Sequence, residues 1–277
     1  MLYFCNVFKQ ITYFLVLTLF IVGFSACSKY QKLLKSSDTE LKYNMAIKYY
    51  EEDDYYRALQ LFDELIPFYR GTEKAEKIGY YYAYSYYGQE EYIMASYYFK
   101  NFLASFPKSD KAEECAFMTA YCKYMDSPDY SLDQTNTYGA IKGLQLFINK
   151  YPESTRIPEC NDLIDKLRLK LETKAFETAR LYFDIGEYKA AIHAFMAVLK
   201  DYPDTHYKEK VLYYVLKSNY LYASNSIDAK KEERFNGTIK AYEEFVSAFP
   251  ESELLNEAGN INKDSLKEIN KIKNKQS

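Results

Sequence analysis

The chain has 277 residues, with 36 basic and 39 acidic side chains and a formal net charge of −3. Charges so evenly matched argue against a nucleic-acid binder. With 32 tyrosines, no tryptophan, 9 glycines and 7 prolines, the chain has too few turn residues for a strand-and-turn fold, so helical periodicity must organise it.

The first element is an apolar leader. Lys9 is the only charge before Cys27, and residues 11–24 are almost all Leu, Ile, Val, Phe and Thr. As a helix that run spans about 21 Å, short of the ~20 apolar residues that cross a bilayer. A short apolar core closing on small residues reads as a signal peptide over 1–26. Phe24-Ser25-Ala26-Cys27 resembles the bacterial lipobox, two small residues followed by a cysteine. That resemblance makes Cys27 the lipidation site, with an S-diacylglycerol thioether and an N-acyl chain on its amine after cleavage. Several acyl chains hold durably where a single myristoyl chain holds only marginally. Residues 27–38 then read as a lipidated linker. Ser28 follows the cysteine, without an acidic cluster, which places the anchor in the outer membrane facing the periplasm.

From residue 39 the chain repeats. Segments closing on Pro107, Pro152, Pro203 and Pro250 carry a small residue twelve positions earlier, at Ala95, Ala140, Ala191 and Thr238. Four residues after each stand Phe99, Leu144, Phe195 and Tyr242, and Ala58 with Phe62 gives an earlier copy closing on Arg70-Gly71. A further step back reaches Ala46, Ala83, Ala120, Ala179 and Ser218, with eight-residue insertions expected in the turns at 126–135 and 225–236. This is the tetratricopeptide pattern, a helix–turn–helix unit of about 34 residues. Small residues let two antiparallel helices approach, aromatics fill the gaps, and proline ends the second helix. The expected fold is all-α, a tetratricopeptide-repeat superhelix of about five repeats over 39–258. The Lys- and Asn-rich tail, 259–277, is expected to be partly helical, from a capping box at Ser265–Glu268, or disordered.

In such repeats the first helices line a groove. Relative to their small residues, Tyr43, Tyr80, Phe117, Phe176 and Val215 stand three before, and Tyr50, Tyr87, Tyr124, Phe183 and Tyr222 stand four after. Residues seven apart share a helix face, and Tyr84 and Tyr121 lie beside them. Tyrosine gives contact area at low rotamer cost and a hydroxyl for backbone groups. Tyr43, Tyr50, Tyr80, Tyr84, Tyr87, Tyr121 and Tyr124 are therefore candidates for gripping an extended or amphipathic peptide, although the same residues could pack one repeat against the next.

No reactive constellation accompanies them. Phosphate-loop, nucleophile-elbow and HExxH patterns are absent, so the expectation is a non-enzyme without a cofactor. Only His193 and His206 occur, in no ligand-spaced cluster, so no metal is expected. Cys115, Cys122 and Cys160 read as small core residues. Glu51, Glu52, Asp53 and Asp54 read as solvated turn residues.

A lipobox followed by five such repeats is similar to the BamD family of outer-membrane assembly lipoproteins. Ser131-Leu-Asp-Gln-Thr-Asn-Thr137 resembles that family's turn into the second helix of repeat three. Ala179-Arg-Leu-Tyr182, Gly186-Glu-Tyr-Lys-Ala-Ala-Ile192 and Asp201-Tyr-Pro-Asp-Thr205 resemble its fourth repeat. The likeness runs over about 29–255. It implies a scaffold of the β-barrel assembly machinery, whose partners are the periplasmic domain of the barrel-forming subunit, unfolded outer-membrane proteins and, through Cys27, outer-membrane lipid. The alternative is a general repeat lipoprotein organising envelope polysaccharide or cell-wall complexes.

Overall fold

The structure, a computed structural model, describes residues 29–276. Residues 29–34 form α1. The helices that follow are α2 (Thr39–Glu51), α3 (Tyr55–Tyr69), α4 (Glu73–Gly88), α5 (Tyr92–Ser105), α6 (Ala112–Met125) and α7 (Thr135–Lys150). Then come α8 (Ile157–Asp184), α9 (Tyr188–Asp201), α10 (Lys208–Ser224), α11 (Asp228–Ala248) and α12 (Leu255–Gln276). No strand occurs among the described residues. The expected all-α, tetratricopeptide-type fold is what forms. The described chain divides into two compact units, one of 29–127 and 136–160, the other of 128–135 and 161–276.

The repeat markers sit where helices cross. In the first unit Ala46, Ala58, Ala83, Ala95, Ala120 and Ala140 are buried, as are Ala179, Ala191, Ser218 and Thr238 in the second. The fit is tight: a Cβ added at Gly143 would stand 3.1 Å from the Cβ of Ala120. Beside the crossings Phe62, Phe99, Leu144 and Phe195 are fully buried. So is a position three residues further on, Leu65, Phe102, Phe147, Val198 and Phe245. These two rows, four residues and seven residues past the small one, form the apolar stripe of each second helix.

Proline ends four of the second helices through its predecessor. The residue before proline is pushed out of the α region. Phe106, Tyr202 and Phe249 accordingly cap their helices at φ −130° to −136° and ψ 60° to 71°. Their N–H groups, and that of Tyr151, still donate to the carbonyls of Phe102, Val198, Phe245 and Phe147 at 2.8–2.9 Å. Two residues past each proline a hydroxyl continues the device. Ser109, Ser154, Thr205 and Ser252 accept from the N–H groups of Lys111, Arg156, Tyr207 and Leu254 at 3.0–3.2 Å, just before the next helix begins. The aromatic-Pro-x-Ser/Thr tetrad is therefore both a stop and a start. Where proline is missing, Gly71 at φ +82° turns the chain and the Thr72 hydroxyl donates to Tyr69 O at 2.7 Å.

Within three repeats the two helices are joined by a tight turn. Asp54, Glu91 and Glu187 donate their N–H to Tyr49, Tyr86 and Tyr182 carbonyls five residues back, at 2.8, 3.0 and 2.9 Å. This closure needs a left-handed residue just before it. Asp53, Glu90 and Gly186 take that place at φ +60°, +61° and +83°. The turn acids do structural work as well: Asp54 accepts from Arg57 N at 3.2 Å and caps α3, while Asp53 accepts from the Tyr55 hydroxyl at 2.6 Å.

Three expectations are corrected. The linker is not free beyond residue 28. Tyr30 and Leu33 are buried in the first core, and the Tyr30 hydroxyl reaches Gln60 Oε1 at 2.7 Å and Arg57 O at 3.1 Å. Lys42, buried and ion-paired with Glu64, donates to Leu34 O at 2.8 Å and closes the end of α1. Cys27 itself lies outside the described residues. The insertion at 225–236 is mostly helix, because α11 begins at Asp228 and gains extra turns that bury Phe235. Phe235 packs with Ala223 and Ile269, while Ala258 and Ile261 join the core around Phe245, and together these contacts hold the tail as helix. α12 starts at Leu255 and runs unbroken to Gln276, with Ala258, Ile261, Ser265 and Ile269 buried along one stripe. Ser265 caps nothing; its hydroxyl donates to Ile261 O at 2.8 Å in mid-helix. The insertion at 126–135 is a loop as expected, with α7 starting at Thr135.

Replacing Ala95 with Leu overfills the α4–α5 crossing and is expected to cost about 1–3 kcal/mol in a denaturant melt. Replacing Glu90 with Gly relieves the left-handed backbone and is expected to raise stability by about 0.5–1 kcal/mol; an unchanged or lowered midpoint would contradict the turn geometry.

Candidate peptide-binding face of the first helices

The face is built by α2, α4 and α6 in the first unit, because each places an aromatic residue at equivalent steps from its buried alanine. Tyr43 goes inward. It is buried, stands 5.7 Å from Tyr69, and lies under Lys74 Nζ at 4.7 Å. Lys74 is itself ion-paired with Glu40. Tyr43 is thus a core residue rather than part of an open face. Tyr50, Tyr80, Tyr84, Tyr87, Tyr121 and Tyr124 are half-buried, with part of each side chain accessible.

Five of these make one connected row. Ring centroids of Tyr80 and Tyr84 are 4.8 Å apart, those of Tyr84 and Tyr87 6.2 Å, and those of Tyr87 and Tyr121 6.4 Å. Tyr121 and Tyr124 continue it at 5.8 Å with rings inclined by 23°. These spacings fall in the favourable range for aromatic pairs. The row therefore passes from α4 to α6 without an aliphatic interruption. Tyr50 is set apart and packs on Tyr81 at 4.4 Å and Tyr55 at 5.8 Å.

Hydrogen bonds fix the row from behind. The Tyr84 hydroxyl donates to Glu114 Oε1 at 2.6 Å, and Glu114 accepts from Arg156 Nη2 at 3.0 Å. Arg156 also bonds Glu159 at 3.3 Å and lies over the Phe117 ring at 4.2 Å, under Tyr121. Burial, then the Glu114 carboxylate, raises the pKa of Tyr84 far above the ordinary phenol. Burial likewise raises Tyr80 and Tyr87, so these three phenols are uncharged at any physiological pH. What remains available is a strip of ring faces and edges, suited to stacking and weak polar contact but not to proton transfer.

Glu114 and Arg156 were not singled out by spacing. The available signal was Arg156 in the connector after Pro152, where the Ser154 hydroxyl donates to Glu113 Oε1 at 2.6 Å and Ser109 donates to Glu76 at 2.7 Å in the preceding connector. These two connectors are tied in this way to the first turn of the previous repeat's first helix. A second tyrosine group, Tyr82, Tyr86 and Tyr98, is packing: Tyr86 and Tyr98 stack at 5.0 Å and Tyr82 bonds Asp63.

The second unit is built differently at the same steps. Phe176 is buried and stacks on Tyr207 at 4.4 Å, Phe183 meets Tyr214 at 5.1 Å, and Arg180 stands where Tyr84 and Tyr121 stand, ion-paired to Glu177 and Asp184. The accessible tyrosine row belongs to the first unit.

Nothing among the described residues gathers three or more His, Cys, Asp or Glu in a metal-binding group. Cys115, Cys122 and Cys160 are free and buried. Burial pushes their thiols up to about 12, 12 and 11. No helix of the described residues is long and apolar enough to cross a membrane.

Paired helices, tight crossings and an accessible aromatic row define a helical-repeat protein. Residues 35–235 match the family described as YfiO, outer membrane lipoprotein. The chain belongs to that family, the BamD family of outer membrane lipoproteins. No curated protein matches it.

The raised thiols predict that a thiol reagent at pH 8 leaves Cys115, Cys122 and Cys160 unmodified in the native protein and labels all three in denaturant. Native labelling at the rate of an exposed thiol would overturn their placement.

Proposed function

We propose that the chain is a non-catalytic, lipid-anchored scaffold of the β-barrel assembly machinery, acting in folding and insertion of outer-membrane proteins. Membership of an outer membrane lipoprotein family supports an assembly role at that membrane. The observation that carries the finer reading is the continuous row Tyr80, Tyr84, Tyr87, Tyr121 and Tyr124. An unfolded barrel protein offers extended backbone with alternating apolar side chains, and such a row provides stacking surface without demanding one sequence. In this reading Cys27 carries the diacylglycerol and N-acyl groups, and the repeats face the periplasm. The barrel-forming subunit docks through its periplasmic domain.

Three measurements test it. Affinity purification of the full chain from detergent extract is expected to recover a barrel-forming outer-membrane protein in stoichiometric amount; recovery of cell-wall or capsule proteins alone would replace this function with the organisation of envelope polysaccharide. The Cys27→Ser variant is expected to lose its lipid and leave the outer-membrane fraction. The paired change Tyr87→Ala and Tyr121→Ala is expected to weaken binding of unfolded barrel peptides by about tenfold, the loss of one to two kcal/mol that aromatic anchors typically carry, while leaving the helical circular-dichroism spectrum intact.

A further inference from the structure

A second surface of the first unit carries the opposite chemistry. Between α5, α6 and α7 lies an open groove of about 280 Å³. Its floor is low because Ala116, Ala120 and Gly143 are small, and Leu146 stands beside it with 59% of its surface exposed. Lys100, Lys123 and Lys150 line the same groove.

The charge there is one-sided for a chain whose net charge is −3. α5 and α7 contain no aspartate or glutamate at all. α6 contains Glu113 and Glu114, and both are engaged, Glu113 by the Ser154 hydroxyl and Glu114 by Arg156 and Tyr84. None of the ion pairs among the described residues includes Lys100, Lys123 or Lys150. Ammonium groups beside an apolar floor, with no carboxylate to meet them, leave a field that an anionic occupant would complete.

The placement of the lysines selects the occupant. Lys123 Cδ lies 3.9 Å from the Cβ position of Gly139, near the start of α7, whereas Lys150 is its last residue. Eleven helical residues separate those points, about 16 Å along the axis. A phospholipid brings its charge to one end of an acyl chain. An extended peptide covers 16 Å in about five residues and can place carboxylates at both ends of an apolar pair. Residues 1–28 of this chain contain no aspartate or glutamate, so they do not match the field.

We propose that the α5–α6–α7 groove binds an acidic, amphipathic segment of a partner protein, two apolar side chains on the Ala116–Ala120–Gly143 floor and flanking carboxylates on Lys100, Lys123 and Lys150. The proposal stands apart from the tyrosine row, and its failure would leave that reading untouched.

The probe is a fluorescein-labelled peptide with Leu-Phe between two Glu-Glu pairs, titrated with the full chain in detergent and read by fluorescence anisotropy. Saturable binding is expected that weakens by about tenfold or more when the four glutamates become glutamine, and equally with the triple change Lys100→Gln, Lys123→Gln and Lys150→Gln. Filling the floor with Ala116→Leu is expected to abolish binding while the lysines remain. Thermal melts of both variants verify folding, and the neutral peptide on the unaltered chain needs no variant at all. Equal binding of acidic and neutral peptides overturns the proposal. So does an unaffected triple variant. Binding confined to vesicles of phosphatidylglycerol, with no response to the peptide, overturns it in favour of a lipid site.

Discussion

Close approach of helices through side chains of one carbon or little more is the constraint on which the structure rests. Every repeat brings two helices together at an alanine, serine or threonine with no room to spare, as the Ala120–Gly143 contact makes plain. Because the crossing points are small, the bulk needed to fill the core must come from residues beside them. That role falls to Phe62, Phe99 and Phe195, with Tyr202 and Phe249, ahead of their prolines, packed half-buried against the second unit's core. The abundance of tyrosine follows in part from the same requirement. A ring with a hydroxyl at its rim can fill space near a surface and still satisfy its polar end, as Tyr82 does on Asp63 and Tyr30 on Gln60.

Much of this was legible because sequence spacing and helix geometry share a period. Alanines twelve apart, with an aromatic four residues on, can be read without coordinates. What was not legible depended on contacts between distant residues. α12 looks polar when its composition is read, yet Ala258, Ile261, Ser265 and Ile269 fall on one stripe, and that stripe is explained only by the core around Phe245, which takes Ala258 and Ile261, and by Phe235 of α11, which takes Ile269. The hydroxyls after each proline were likewise not legible, since their work is done on backbone groups two residues on. Among the candidate tyrosines, helix periodicity put Tyr43 and Tyr80 on equivalent steps. Tyr43 is nevertheless buried, because Tyr69 and Lys74 close over it. Periodicity gives the face of a helix, not what lies above it.

Electrostatically the first unit separates its two surfaces. Along the tyrosine row the charges are consumed internally, Glu114 by Tyr84 and Arg156, and Arg156 again by Glu159 and the Phe117 ring. The aromatic strip is thereby left with neighbouring ions that are already paired. The lysines of α5, α6 and α7 are treated oppositely, since their own helices provide no counter-ion. One small body thereby presents an aromatic strip and, beside it on α6, a groove lined by lysines.

The docking of α1 has a consequence for motion at the membrane. Tyr30 and Leu33 are fastened into the first core, and α1 is already in place two residues beyond Cys27 in the chain. Two residues reach at most about 7 Å. With Cys27 acylated as proposed, the leash is shorter than one helix is wide, and the first repeat rides at the lipid headgroups instead of roaming the space beneath them. Encounters with other membrane-bound proteins then take place by diffusion in a plane, with one end of the molecule always presented at the same height.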